Sequence, residues 1–144
     1  MSAVTSRNYV LPDDPDAFSN GPWFNLWTRR LWPYNELEPG ETLFWYESPT
    51  KCIVWKSRVI EVLRFPYRAK KEVEQKLSMT AVQAAQDYFV DGPEEGYCLS
   101  YKVAAVERVS IPRPDDFKFP HQGWMRLDPE AIAAWPALSE GADG

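Results

Sequence analysis

The chain has 144 residues, 15% of them aromatic, and a formal net charge of −5. This length allows one domain with a substantial core, and an acidic chain taken as a whole argues against a nucleic-acid-binding protein. The two cysteines belong to no Cys-x-x-Cys pair or Cys/His cluster, so neither a zinc site nor a dithiol redox centre is indicated.

The N-terminus has no apolar leader segment, and no run approaches the roughly 18 apolar residues of a membrane span. Because the cysteines are unpaired as well, the sequence predicts a cytoplasmic protein without membrane association. We expect a single domain over residues 1–144, with its core at about 8–136 and short flexible tails.

Basic residues are concentrated in one part of this acidic chain. Residues 51–71 contain seven Lys or Arg and one acid, Glu61, which leaves −11 for the remaining residues. Such segregation of charge favours one face that attracts a polyanion. A solvated strand-to-helix surface is the alternative interpretation.

At the N-terminus, residues 1–6 are expected to form a tail and residues 8–11 a short strand. The acidic, Pro-rich segment that follows favours a solvated turn over a cation site, with Asp14 or Asp16 capping a helical turn. Residues 23–28 then have the composition of a strand that places Trp23, Asn25 and Trp27 on one face. That face would form a ring-lined recess with one hydrogen-bonding group.

The loop at residues 29–35 is rich in Arg and aromatic side chains, a composition that suits stacking on a nucleobase or a hydrophobic loop pinned to the sheet. A Pro39-Gly40 turn then begins a β-hairpin with strands at residues 42–47 and 51–65. The apolar alternation of the second strand blurs at residues 56–58. A β-bulge is therefore expected there.

One helix is predicted at about residues 80–90, after a shorter one at 70–77, with Thr80 and Gln83 as a capping box. Tyr88 and Phe89 lie on the apolar stripe of the longer helix and are expected to pack on the sheet.

Clean alternation then predicts a strand from residue 97 to about 111, with Tyr97, Leu99, Tyr101 and Val103 facing inward. Phe117 and Phe119 are expected to plug the loop that follows, and a last helix begins at Asp128-Pro129.

The sequence contains no recognisable catalytic set. Gly-rich phosphate loops, Gly-x-Ser-x-Gly elbows and His-Glu-x-x-His motifs are absent, and the single histidine, His121, is expected to be structural. We therefore expect no catalytic residues, no metal and no cofactor. The remaining aromatic rings, amides and basic residues suit the binding of a flat ring beside a phosphate backbone.

Two segments resemble a known superfamily. The run Leu-Glu-Pro-Gly-Glu-Thr-Leu-Phe-Trp-Tyr at residues 37–46 resembles the turn-and-strand signature of ASCH and EVE domains, and residues 96–103 resemble their later central strand. The chain is thereby identified as similar to the PUA-like superfamily. This resemblance implies an α+β fold, a mixed and mostly antiparallel β-barrel flanked by helices.

Members of this superfamily commonly bind RNA or modified bases in DNA or RNA, so the resemblance implies RNA or modified DNA as partner. Only Pro39, Gly40 and Tyr46 match a motif directly, and the other site residues are placed by position. The expected base-binding residues are Trp23, Asn25, Trp27, Thr28, Trp32 and Tyr46; the expected phosphate-binding residues are Arg29, Arg30, Lys56, Arg58 and Arg64. Two alternatives stay open: a metal-independent ribonuclease of ASCH type using Tyr46 and Lys56, and a protein-interaction module.

Overall fold

The computed structural model describes residues 2–119 and 123–138. In this part of the chain the strands are β1 (Ser2–Arg7), β2 (Trp23–Trp27), β3 (Thr42–Glu47), β4 (Cys52–Tyr67), β5 (Gly96–Pro112) and β6 (Trp124–Arg126). The helices are α1 (Pro15–Phe18), α2 (Lys70–Lys76), α3 (Ala81–Ala84), α4 (Asp87–Val90) and α5 (Pro129–Ala134). None of these helices is long and apolar enough to cross a membrane. The predicted role of His121 lies outside the described residues.

The six strands form one mixed sheet in the order β2-β5-β4-β3-β1-β6. β1 and β3 run parallel, and the other neighbouring pairs are antiparallel. The predicted α+β class is confirmed, but the predicted closed barrel is wrong, because within the described residues no backbone ladder joins the edge strands β2 and β6. A side-chain contact spans them instead: Trp124 Nε1 donates to Asn25 Oδ1 at 3.3 Å.

The first strand corrects the prediction for the N-terminus. Residues expected to be a tail form β1, which lies between β3 and β6, and Ala3, Val4 and Thr5 are completely buried. Small and β-branched residues fit the interior of a sheet. Because this segment does not alternate between large apolar and polar side chains, the sequence carried little signal for the strand. Residues 8–11, expected as a strand, are irregular.

The hairpin confirms its prediction closely. β3 has the expected bounds, and β4 is longer than expected at its C-terminal end. The expected irregularity is present as a register shift between Lys56 and Arg58 in the pairing of β4 with β5, with two further shifts along the same ladder. Bulges of this kind increase strand twist, which lets the long β4–β5 pair curl.

The single helix predicted at residues 80–90 is wrong, because this segment forms two short helices. The capping box of Thr80 and Gln83 is present, but the chain becomes extended at Gln86 (φ −66°, ψ 141°) and separates α3 from α4. The break changes the direction of the next side chains. Phe89 packs in the core as expected, whereas Tyr88 is 48% exposed, which corrects its predicted place in the core.

Three apolar clusters hold the layers together. The inner face of the curled sheet carries Tyr97, Leu99, Tyr101 and Val103, as predicted for β5, together with several tryptophans. The outer face packs against α5 and the loop before β6, including Phe117 and Phe119 as predicted. A third cluster joins α2 and α4 to one end of the sheet.

Side-chain caps also define the starts of α1 and α5. Asp14 accepts a hydrogen bond from the Asp16 amide at the start of α1, and Asp128 caps α5 with Pro129 as its first residue, both as predicted.

Candidate functional site

A cavity of about 800 Å³ opens at one end of the inner face of the sheet. Its walls come from the chain leaving β1, from Trp23, Phe24 and Leu26 of β2 and from the α3–α4 segment, with Leu77 and Met79 completing one side. This volume lies within the range of roughly 300–1,000 Å³ that is usual for small-molecule sites. The break between α3 and α4 matters here, because it presents Tyr88 to the cavity.

Arg7, the last residue of β1, is enclosed among buried groups of this cavity. Its Nη1 donates to Thr5 Oγ1 and to the carbonyl of Ser6, each at 2.9 Å, and its Nη2 donates to Tyr101 Oη at 2.6 Å. The guanidinium carbon lies 5.7 Å from the ring centre of Trp23 and 5.2 Å from that of Trp45. Aromatic faces at this range attract a cation.

The charge of Arg7 has no protein counter-ion in the described part of the chain. The ion pairs formed there involve other cations, and no described carboxylate oxygen lies within 4.0 Å of its guanidinium. Enclosed charges in proteins are normally paired or hydrogen-bonded to an opposite charge. Arg7 is therefore suited to receive a ligand group that is anionic or a strong hydrogen-bond acceptor.

A chain of hydrogen bonds continues from Arg7 to the cavity wall. Tyr101 Oη donates to Asn25 Oδ1 at 3.0 Å, and Asn25 Nδ2 donates to Tyr88 Oη at 3.4 Å. Burial raises the pKa of Tyr101 to about 12, so its phenol keeps its proton at neutral pH and acts as this donor. Because both ends of the Asn25 amide are engaged inside the protein, Asn25 positions the two tyrosines.

Tyr88 keeps a hydrogen-bond donor for a ligand. Its oxygen accepts from Asn25 Nδ2 and from the amide of Leu26 at 3.3 Å, so its own O–H is not used in either bond. Burial of the hydroxyl raises the pKa of Tyr88, which keeps the phenol protonated at neutral pH. Its ring lies 5.6 Å from that of Phe24, centre to centre.

Trp23 is the second ring presented to the cavity. Its Nε1 donates to the carbonyl of Phe18 at 2.9 Å, and its ring packs against those of Phe18 and Trp45 at 5.0 and 4.7 Å. These contacts fix the orientation of the indole before any ligand arrives. A fixed flat ring offers a stacking surface at a small entropic cost.

Polar side chains line this aromatic cavity, and two lysines line a neighbouring recess. Asp87, Asp91, Gln83 and Gln86 line it on the α3–α4 side. A smaller recess of about 200 Å³ adjoins the cavity, sharing Pro22 and Leu77, and the residues that line it include Lys76 and Lys102. Lys102 pairs with Glu61 at 3.7 Å at a largely exposed position.

The base-binding residues predicted from the sequence do not converge on one site. Trp23 lines the cavity and Asn25 lies behind its wall. Trp27, at the other end of β2, packs against the inner cluster, and Thr28 lines a separate recess.

The other two predicted base-binding residues lie elsewhere again. Trp32 lines a third recess, where Arg126 stands 5.2 Å from its ring centre. Tyr46 is 3% exposed, and its ring stacks on Phe119 at 5.1 Å and meets Trp135 edge-on. A tyrosine enclosed in this way is also poorly placed for the ribonuclease alternative.

None of the five predicted phosphate-binding residues lines the cavity, namely Arg29, Arg30, Lys56, Arg58 and Arg64. The first two are exposed just after β2, and Lys56 and Arg58 stand on β4 opposite β3. Arg64 is used inside the protein, where it pairs with Glu38 at 3.3 Å and donates to the carbonyl of Leu37.

Sequence reasoning missed Arg7 and misplaced Tyr88. Arg7 follows the short run Val4-Thr5-Ser6, which was a weak signal for a strand ending in a charged residue. Tyr88 shares the helical stripe with Phe89, and only the break at Gln86 separates their environments.

No protein-family model matches the chain, and no curated protein sequence matches it. Several solved structures match it. A mutant of the ASCH protein from Zymomonas mobilis matches with a TM-score of 0.62 and 14% identity, over 95% of each chain. The ASCH structure from the same organism that is not described as a mutant matches with a TM-score of 0.54 and 17% identity, over 95% of this chain and 94% of that one.

The N-terminal domain of McrB from Staphylothermus marinus matches with a TM-score of 0.57 and 12% identity, over 94% of this chain and 93% of that one. Matches at this level of identity concern the fold. The chain therefore has the fold of the ASCH structures, which confirms the resemblance at the level of the fold.

Proposed function

We propose that this chain, a single PUA-like domain with the ASCH-type fold, is a nucleic-acid-binding domain that accepts one unpaired nucleobase of RNA or modified DNA in the Arg7 cavity. Trp23 and Tyr88 provide the ring surfaces, and Arg7 with the Tyr88 hydroxyl provides donors to the base. Asn25 and Tyr101 hold these groups in place. The phosphates beside the base run over Lys76 and Lys102.

One observation carries this proposal: the guanidinium of Arg7 has no described carboxylate partner and lies over the adjoining rings of Trp23 and Trp45 in an open cavity. A purely structural arginine in such a place would gain from an acidic partner. A nucleobase supplies what the site lacks, since it is a flat π-system with strong in-plane acceptors.

The position of the lysines supports a strand over an isolated small molecule. The recess with Lys76 and Lys102 adjoins the cavity through Pro22 and Leu77. A base that enters the cavity from a strand carries phosphates on both sides within about 7 Å, because nucleotides along one strand repeat at a few ångströms. The two lysines of the adjoining recess suit such phosphates better than Arg29 and Arg30, which line neither the cavity nor the recess.

The test is equilibrium binding of labelled single-stranded pentamers that share thymidine or uridine flanks and differ in one central base, unmodified or methylated. Tyr88→Ala removes a half-exposed ring that lines the cavity. Base–aromatic stacking contributes about 1–3 kcal/mol, so we expect affinity for the best pentamer to fall about 5- to 150-fold. Fluorescence anisotropy at fixed salt measures this directly.

Val90→Ala is the matched control. Val90 is on the same short helix and is 52% exposed, but it does not line the cavity. Its substitution is expected to leave affinity unchanged. The proposal is wrong if the unaltered protein binds no pentamer, or if Tyr88→Ala binds as well as Val90→Ala.

A further inference from the structure

The donors that Arg7 leaves unused define the ligand further, an inference that rests on the proposed function. The hydrogen bonds to Thr5, Ser6 and Tyr101 occupy both N–H groups of Nη1 and one of Nη2. The Nε–H and the second N–H of Nη2 bond to no described residue. A guanidinium carries its donors in a rigid planar fork.

Nη2 lies on the same side of the guanidinium as the Nε–H group. With the bond to Tyr101 made by the N–H of Nη2 that points away from Nε, the two unused donors are adjacent and match two neighbouring acceptors. Among nucleobase edges, guanine presents its O6 and N7 side by side, and the bidentate contact of Arg with this pair is the commonest specific contact to DNA bases. Adenine places the N6 amino donor beside N7, so one donor of Arg7 would face another donor. Thymine offers O4 beside a methyl group on the corresponding edge.

The opposite side of the cavity has the complementary character. Asp87 and Asp91 contribute carboxylates and Gln86 contributes an amide oxygen, whereas the amide oxygen of Gln83 already accepts from the Thr80 amide at 2.8 Å. These acceptors suit the two donors on the far edge of guanine, which are its N1–H and its N2 amino group. They also oppose a second interpretation, because a phosphate group brought into the cavity would approach two carboxylates.

We propose that the cavity selects a purine with a C6 carbonyl and an unmodified N7, guanine or hypoxanthine, with O6 and N7 bound by Arg7. The base lies against Trp23 and Tyr88, and its N1–H faces the α3–α4 side. Adenine is excluded at the Arg7 edge, and a ring lacking N7 loses one of the two hydrogen bonds.

The test uses the unaltered protein and the thymidine-flanked pentamers with guanine, hypoxanthine, 7-deazaguanine, adenine or cytosine at the centre. We expect guanine and hypoxanthine to bind most tightly. Replacing N7 by carbon removes one acceptor without changing the shape of the ring, so affinity for 7-deazaguanine is expected to fall about 5- to 100-fold. Affinity for the adenine pentamer is expected to fall at least as far.

The results separate this inference from the function on which it rests. Equal affinity for guanine and 7-deazaguanine, or preference for adenine or cytosine, would overturn the guanine assignment while leaving nucleobase binding intact. Absence of binding to every pentamer would overturn both. Arg7→Lys provides a second test, because it keeps the positive charge and removes the planar set of guanidinium donors.

Arg7→Lys is expected to abolish the difference between guanine and 7-deazaguanine. Retained discrimination in a folded Arg7→Lys protein would also overturn the assignment. Should that variant not fold, the 7-deazaguanine comparison on the unaltered protein still decides the question.

Discussion

Arg7 and Tyr101 are joined by a 2.6 Å hydrogen bond between Nη2 and the phenol oxygen, although they are 94 positions apart in the chain. Arg7 ends the parallel strand β1, and Tyr101 faces inward from β5. Their contact crosses the interior of the curled sheet. It ties the charged group of the cavity to the buried core.

Tyr101→Phe tests how much this bond stabilises the fold. The change deprives the Arg7 guanidinium of an acceptor and leaves Asn25 Oδ1 with Trp124 as its described donor. An unsatisfied buried polar group costs about 1–3 kcal/mol, so we expect a loss of that size in the free energy of unfolding. Urea denaturation followed by tryptophan fluorescence measures it.

Tyr46→Phe is the control for this substitution. Tyr46 is also buried, but its hydroxyl makes no hydrogen bond to a described residue. We expect its effect to stay within about 0.5 kcal/mol. Equal losses for the two variants would contradict a specific role for the hydroxyl of Tyr101.

Stability is expected to fall at alkaline pH because of Cys98. Burial raises the pKa of this thiol from its usual value near 9.0 to about 12. The folded protein therefore keeps a proton that the unfolded chain releases above about pH 9, and the free energy of unfolding decreases from there to about pH 12. At about pH 10.5 this one group contributes a loss of about 2 kcal/mol relative to pH 7.

Cys98→Ala isolates that contribution. The difference in unfolding free energy between pH 7 and about pH 10.5 is expected to be about 2 kcal/mol smaller in this variant than in the unaltered protein. Val103→Ala, another truncation in the buried core, is expected to lower stability equally at both pH values. A Cys98→Ala protein with the same pH dependence as the unaltered one would refute this account of the alkaline limit.

Gly96→Ala is expected to disrupt the start of β5. A Cβ at this position would stand 2.0 Å from the carbonyl oxygen of Trp27, so the β2–β5 pair must move apart. Overpacking against backbone commonly costs about 1–3 kcal/mol, and we expect the upper end of this range or more. Thermal and urea unfolding measure the loss.

Gly92→Ala provides a milder comparison on the other side of the same loop. Its Cβ would meet the flexible end of the Leu26 side chain at 2.9 Å, which moves at lower cost than a backbone carbonyl. We expect a clearly smaller effect than that of Gly96→Ala. The reverse order would show that β2 and β5 can separate at Gly96 at little cost.

The lysines beside the cavity are expected to set part of the salt dependence of binding. Removing one phosphate contact reduces the slope of log affinity against log salt by about 0.7 for a single strand. Lys76→Gln and Lys102→Gln should each weaken the binding of all pentamers by a similar factor and lower this slope, without changing the preferred base. Anisotropy titrations across a range of salt concentrations provide the slopes.

Arg58→Gln is the comparison for the phosphate prediction from the sequence. Arg58 is exposed on β4 and lines neither the cavity nor the recess with Lys76 and Lys102. A slope reduced by Arg58→Gln and unaffected by Lys76→Gln would move the phosphate contacts to the basic strand.

Local chemistry made much of the fold predictable. The Pro39-Gly40 turn, the alternation of Tyr97 to Val103 and the caps at Thr80 and Asp128 are all decided by near neighbours in the chain, and the structure confirms them. The strand β1 could not be predicted in this way. Its burial depends on parallel pairing with β3, about 40 positions away, which leaves no local pattern.

The candidate site was less accessible from sequence for the same reason. Trp23 was identified because an aromatic strand is visible locally, but Arg7 enters the site only through β1, and Tyr88 only through the break at Gln86. The local excess of positive charge in residues 51–71 drew attention to β4. The cavity instead contains one enclosed cation, Arg7. A count of charges along the sequence does not show that this residue lies among aromatic rings without an acidic partner.

The most direct test of nucleobase binding in the Arg7 cavity is the ¹H–¹⁵N signal of the Arg7 Nε–H group during titration with the tightest-binding pentamer. Its absence from the spectrum of Arg7→Lys assigns the signal. We predict that the signal shifts progressively and saturates with the same dissociation constant as the anisotropy titration. An Arg7 signal that stays in place while backbone signals of residues 29–30 or 56–58 shift and saturate would contradict binding in this cavity.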